Sequence, residues 1–159
     1  MSPDGKTSET SEFTRPALYL GAFLLSLVGG ILFFTVEFGW WQGAYSWGYN
    51  FAVYGEFVEW YGKLILVLMG LVYLFVAIVS LWKLYPFVQL PDKLVKNLDN
   101  YAFFAAIGVV ILTVITAIIF VAQVSDATDW DFGTTFYTGL IGGIVTALLL
   151  WFAKRLKTK

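Results

Sequence analysis

Four stretches of this 159-residue chain are long, apolar and free of charged side chains. They cover residues 17–36, 64–82, 101–124 and 134–153. A helix rises about 1.5 Å per residue, so roughly twenty residues cross the hydrocarbon core of a bilayer. The chain is 59% apolar and only 13% charged, too apolar to cover its own surface with polar groups. We therefore predict an all-α integral membrane protein in which residues 17–153 form a bundle of four transmembrane helices.

The two ends of the chain differ from this membrane domain. Residues 1–16 are rich in Ser, Thr and charge, which predicts a disordered tail, and residues 154–159 form a second, basic tail. Four spans place both tails on one side. Nine of the ten basic residues lie on that side: Lys6, Arg15, Lys83, Lys93, Lys96, Lys154, Arg155, Lys157 and Lys159. The positive-inside rule then predicts a multi-pass protein of the plasma membrane with both termini in the cytoplasm.

The loop between the first two spans, residues 37–63, is long and aromatic. Apolar residues recur every three or four positions, as in Trp47, Phe51, Tyr54 and Val58, which is typical of one helix face. We therefore expect a helix over residues 47–62 in an outer loop that is partly helical. Five aromatic residues are candidates for contact with a partner: Trp40, Trp41, Trp47, Tyr54 and Trp60. An interfacial aromatic belt explains them equally well.

Two ladders of small residues occur at four-residue spacing within the spans. The first comprises Ala22, Ser26 and Gly30, and the second comprises Gly139, Gly143 and Ala147. Small residues at this spacing let helix backbones approach closely. They indicate either contacts between subunits of an oligomer or packing inside one bundle, and the sequence leaves both open.

Five acidic residues of the outer loops suggest a cation site. These are Glu56, Glu59, Asp126, Asp129 and Asp131. Carboxylate oxygens are the ligands that Ca²⁺ prefers, so converging loops would bind a divalent cation. The spacing is not that of a known calcium loop, and the alternative is a solvated acidic rim.

The chain has no cysteine and no histidine. Thiol chemistry and imidazole ligation of haem or zinc are therefore excluded, and we expect no cofactor. There is no P-loop or dinucleotide fingerprint, and the spans carry no ionisable residue that would mark a transport path. Four spans with a long aromatic first loop are also the layout of claudin-like tetraspan proteins, but their Trp-Gly-Leu-Trp motif and paired cysteines are missing, so we assign no family.

These observations favour a non-catalytic structural or accessory membrane protein. It would be a small subunit of a membrane complex, or a self-assembling tetraspan with an extracytoplasmic interaction surface. The expected partners are membrane lipid and other membrane proteins, in a homo- or hetero-oligomer, and not nucleic acid. The alternative is a small oligomeric channel or transporter in which Glu37, Glu56 and Asp126 form an acidic outer mouth.

Overall fold

A computed structural model describes residues 5–43 and 48–156 of the chain, with side chains from Phe13 onward. Its helices are α1 (Gly5–Thr35), α2 (Trp60–Leu84), α3 (Asp92–Gln123) and α4 (Thr134–Arg155). Each contains a segment long and apolar enough to cross a membrane. The prediction of a mostly helical protein with four candidate membrane spans is therefore confirmed.

The four helices pack as a bundle in which each packs mainly on two neighbours. Helix α1 packs on α2 and α4, and α3 packs on the same two helices from the other side. The buried side chains form two clusters, one around Leu98 and Leu150 at the end of the termini and one around Tyr73 and Phe120 at the other end. Large apolar side chains such as Phe104 also cover the outside of the helices, as expected for surfaces that face lipid.

The start of α1 differs from the prediction. Its backbone is helical from Gly5, whereas we expected a disordered tail as far as residue 16. Extending an existing helix adds one hydrogen bond per residue and avoids the cost of a new nucleus, so a polar segment can continue an apolar span. Pro16 lies inside this helix and removes one backbone donor from it.

A small antiparallel sheet joins the two loops at the end of the bundle opposite the termini. Its strands are β1 (Gly39–Gln42), β2 (Gly48–Phe51) and β3 (Asp129–Phe132), in the order β2-β1-β3. Strands β1 and β2 belong to the loop after α1, and β3 belongs to the loop after α3. The central strand β1 therefore connects the first helical pair to the second.

The predicted helix over residues 47–62 is wrong. The chain forms strand β2, then a series of turns, and becomes helical only at Trp60. The turn needs Gly55, because a β-carbon there would collide with the carbonyl oxygen of Asn50. Phe51 and Val58 are both buried, and their seven-residue separation imitates a helical repeat although one lies on a strand and the other in a turn. Pairing with β1 overrides this local pattern.

A π-helical turn interrupts α4 at Thr138–Gly142. The hydroxyl of Tyr73, a fully buried residue of α2, donates a hydrogen bond to the carbonyl oxygen of Thr138 at 2.9 Å. Local distortions of a helix occur at such wide turns and where a side chain bonds into the backbone ladder. This hydrogen bond gives the Thr138 carbonyl a partner inside the bundle and links α2 to α4.

A polar contact fastens three helices at the end of the termini. Asp99 of α3 accepts a hydrogen bond from the Tyr19 hydroxyl at 2.8 Å and pairs with the Lys83 ammonium at 3.0 Å. Tyr19 belongs to α1 and Lys83 to α2. The charged side chains are mostly buried, with 11% of the lysine and 17% of the aspartate exposed, so the pair is partly removed from water.

Candidate interaction surface

The sheet and its flanking loops, residues 36–43, 48–59 and 124–133, are called the strand cap below. The cap rests on Phe120, a fully buried side chain near the end of α3. Four aromatic rings surround the Phe120 ring at centroid distances of 5.3 to 6.4 Å: Trp41, Phe51, Trp130 and Phe132. Edge and tilted contacts of this kind stabilise beyond the area they bury. All three strands thus contribute a ring to one anchor.

Glycine at position 39 lets β1 lie directly on that anchor. A β-carbon on Gly39 would lie 2.7 Å from Cζ of Phe120, a distance that the buried ring could accommodate only by moving. Beside this contact, Phe132 stacks on Phe136 of α4 at 4.1 Å, and Phe38 meets Phe136 edge-on at 5.7 Å. The cap is therefore packed on both α3 and α4.

Hydrogen bonds hold the loops of the cap to each other and to the bundle. The Phe38 amide donates to the carbonyl of Phe51, and the Gly133 amide donates to the carbonyl of Phe38. The Gln123 side-chain amide at the end of α3 donates to the carbonyl of Phe57 at 2.9 Å. These bonds fix backbone that would otherwise be free loop, and they make the cap a defined surface.

The face of the sheet that points away from the bundle is polar around one tryptophan, Trp40. Side chains alternate across a strand, so Trp41 points inward and Trp40 outward. In the register of the sheet Trp40 lies between Asn50 of β2 and Asp131 of β3. Asp131 and Asp129 are exposed, and among the described strands β3 lies at the edge of the sheet. Charges on an edge strand oppose pairing with another strand.

An exposed aromatic patch follows β2 and continues into the start of α2. It consists of Tyr54, Phe57, Trp60 and Tyr61, whose exposed fractions are 54%, 61%, 72% and 41%. Phe57 is held edge-on against Tyr49 at 4.7 Å, so the patch is attached to the sheet. Apolar rings of this size are unfavourable in water unless lipid or a partner covers them.

A small cavity separates the patch from the edge of β2. Its volume is about 210 Å³, and its walls include Asn50, Tyr54, Glu56 and Phe57. Its lining combines polar and aromatic side chains. The cavity makes the surface beside the patch concave, so a side chain of a partner could insert there.

The five aromatic residues that the sequence indicated for contact separate into different places. Tyr54 and Trp60 belong to the exposed aromatic patch, and Trp40 lies half-buried on the outward face of the sheet. Trp41 packs against Phe120 instead, and its role is to hold the cap in place. Trp47 lies outside the described residues.

Phe57 and Tyr61 are members of the patch that the sequence reasoning missed. Their position beside the acidic residues Glu56 and Glu59 was the available signal, because charged neighbours in a short turn indicate that the segment is exposed.

The five acidic residues are not gathered into a metal site. Glu56 and Glu59 precede α2, Asp126 follows α3, and Asp129 and Asp131 lie on β3. Within residues 13–43 and 48–156, no three acidic side chains form a group that could hold a metal ion. The geometry therefore gives the cation hypothesis no support, and these residues form an acidic surface around the cap.

The small residues of both ladders are buried inside the bundle: Ala22, Ser26, Gly30, Gly139, Gly143 and Ala147. A β-carbon on Gly30 would lie 2.9 Å from Leu74 of α2, and one on Gly143 would lie 2.7 Å from Val110 of α3. These contacts join helices of the same chain. Of the two interpretations left open by the sequence, the geometry supports packing within one bundle.

Comparison of this chain with protein family models, with curated proteins and with solved structures finds no match. The assignment of a function therefore depends on the residues and geometry of the chain itself.

Proposed function

We propose that this chain is a non-catalytic structural or accessory membrane protein that contacts another membrane protein, or a second copy of itself, through its strand cap. The observation that carries the proposal is the pairing of a firmly anchored sheet with an exposed aromatic patch. Phe120 fixes the sheet, while Phe57 and Trp60 remain largely exposed beside it. A rigid surface loses little entropy on binding, and aromatic side chains are typical anchors of interfaces.

The inside of the bundle supports this class over a transporter. Across the described residues, the buried polar side chains are six hydroxyl residues: Ser26, Ser80, Thr113, Thr116, Thr135 and Thr146. Ser26, Thr113 and Thr116 donate to carbonyl groups of their own helices, as hydroxyls in membrane helices usually do. Large side chains such as Tyr73 and Phe33 fill the centre. A path for ions would therefore have to form between chains.

The proposed orientation follows from the distribution of basic residues. The protein would lie in the plasma membrane. The end with Lys83, Lys154 and Arg155 would face the cytoplasm, and the strand cap would face the outside of the cell. The partner would then meet the cap outside the cytoplasm or at the outer membrane boundary.

Site-specific photo-crosslinking in native membranes tests the proposal. A photoreactive phenylalanine analogue is placed at Phe57 or Trp60, and at Phe104 as the control. Phe104 is 65% exposed on the outside of α3, so its surroundings should be lipid. We expect a discrete crosslinked protein from the two patch positions and none from Phe104. The partner should also co-purify in fixed stoichiometry, and Phe57→Ser with Trp60→Ser should abolish this.

Two results would contradict the proposal. Crosslinks from Phe57 and Trp60 that reach only lipid would make the patch an interfacial belt. Cation flux through liposomes above that of empty liposomes, reduced by Glu37→Gln and Glu56→Gln, would favour the oligomeric channel instead.

A further inference from the structure

A groove on the outside of the bundle runs between α3 and α4 toward the end of the termini. It has a volume of about 390 Å³, within the range of about 300–1,000 Å³ that is usual for ligand sites. Its walls are almost entirely apolar and include Phe103, Ile107, Ile144, Leu148 and Trp151. Ala147, a small residue, also lines the groove. A lipid acyl chain fits these walls.

The residues of α4 that line the groove lead directly to a cation. Ile144, Leu148, Trp151 and Arg155 are separated by four, three and four positions, so they share one face of the helix. The Arg155 guanidinium carbon lies 4.2 Å from the centre of the Trp151 ring. This cation–π contact orients an exposed guanidinium at the end of the groove.

A second cation bridges the same end from α4 to α3. The Lys154 ammonium donates a hydrogen bond to the side-chain oxygen of Asn100, which lies one turn before Phe103 on α3. Among the described residues, the salt bridge is the one between Lys83 and Asp99. In that part of the chain, Lys154 and Arg155 have no carboxylate within ion-pair distance. Two exposed positive charges thus border the mouth of an apolar groove, and no carboxylate in the described part of the chain neutralises them.

We propose that this groove is a binding site for an anionic phospholipid of the leaflet next to the termini. One acyl chain occupies the groove, and the phosphate accepts hydrogen bonds from Arg155 and Lys154. A guanidinium is planar and presents paired donors that match phosphate oxygens. The positive-inside rule accounts for basic residues at this end in general, but it requires neither the stacking of Arg155 on Trp151 nor the groove beside it.

The site is independent of the proposed contact through the strand cap, because it lies at the opposite end of the bundle and on the lipid-facing side. The two basic side chains should make the site selective for the head group of the lipid. Zwitterionic phosphatidylcholine carries a phosphate but also a choline cation, which the two basic side chains repel. Phosphatidylglycerol has the phosphate charge but no cation in its head group, and it should bind more tightly.

Native mass spectrometry of the full-length protein in detergent, with dioleoyl phosphatidylglycerol or dioleoyl phosphatidylcholine added, measures this preference. We expect one phosphatidylglycerol per chain to bind at least about tenfold more tightly than phosphatidylcholine, because repulsion of the choline cation should offset about as much binding free energy as one charge-assisted hydrogen bond to the phosphate contributes. Arg155→Gln should remove most of that preference. Leu148→Trp, which fills the groove from an exposed position, should weaken binding of both lipids. Bound lipid should also raise the thermal unfolding midpoint.

Matched controls separate the site from general effects of charge and size. Lys63→Gln removes one positive charge near the strand cap, and Ile141→Trp adds the same ring to an exposed position of α4 away from the groove. Both should bind phosphatidylglycerol like the parent protein. Equal affinity for the two lipids, unchanged binding by Arg155→Gln or by Leu148→Trp, or equal stabilisation by inorganic phosphate would each overturn the proposal.

Discussion

Replacing Phe120 with alanine should release the strand cap from the bundle. The side chain is fully buried and meets four aromatic rings, and truncating a buried phenylalanine costs about 3–5 kcal/mol. Gly39 leaves the β1 backbone directly above the ring, so this strand is free to sink into the space that the ring vacates. Such settling recovers part of the packing. We therefore expect a loss of about 3 kcal/mol, at the lower end of that range.

Equilibrium unfolding in mixed micelles, followed by tryptophan fluorescence, measures this loss. Trp41 and Trp130 lie against Phe120, so loosening of the cap should shift the emission to longer wavelength. Phe104→Ala is the matched control on the same helix. Its ring is exposed on the outside of α3, where lipid or detergent would refill the space, and the expected cost is under about 1 kcal/mol. Equal losses for Phe120→Ala and Phe104→Ala would refute the reasoning that the cap depends on this one anchor.

Three further substitutions test contacts within the fold by the same unfolding measurement. Gly39→Ala should cost about 1–3 kcal/mol through overpacking against the buried ring, whereas Gly48→Ala, where no atom lies within 4 Å of the new carbon, should change stability by less than about 0.5 kcal/mol. Asp99→Asn should cost about 1–3 kcal/mol because it leaves the mostly buried Lys83 ammonium without its counter-ion; adding Lys83→Met should restore part of the loss. Gly139→Ala should destabilise the isolated chain at any protein concentration, because the new carbon would collide with a side chain of α3.

Each of these predictions has an opposite outcome. Equal effects at Gly39 and Gly48 would mean that the sheet does not rest tightly on α3. Additive losses for Asp99→Asn and Lys83→Met would mean that the two side chains do not interact. A Gly139→Ala protein that unfolds like the parent but changes its oligomeric state would place the small residues between subunits after all.

The membrane spans were predictable because their signal is local. Each helix is encoded by its own apolar run, and the four predicted spans fall within the four observed helices except for a residue or so at the outer ends of the first and third. Hydropathy does not depend on which helix becomes the neighbour. The start of α1 was missed for a related reason, since a polar segment gives no hydropathy signal whether or not it continues a helix.

The sheet could not be predicted in the same way. Gly39 pairs with Phe132, a residue of the loop after α3, and four-residue strands contain barely two repeats of the alternating pattern. Without knowledge of the strands, nothing in the sequence shows that Trp40 and its neighbour Trp41 have different roles. The two-residue period of β1 decides that one faces outward and the other holds the cap in place.

The position of β1 between two strands from different loops also imposes an order of assembly. Translation delivers α1, β1, β2 and α2 first, so the β1–β2 hairpin is able to form while the second helical pair is still being synthesised. Until β3 emerges after α3, one side of β1 has unpaired amide and carbonyl groups. The late arrival of Asp129–Phe132 closes that edge, and the acidic strand then becomes the border of the finished sheet. The three-stranded sheet can therefore be complete only after both helical pairs have been inserted and have packed against each other.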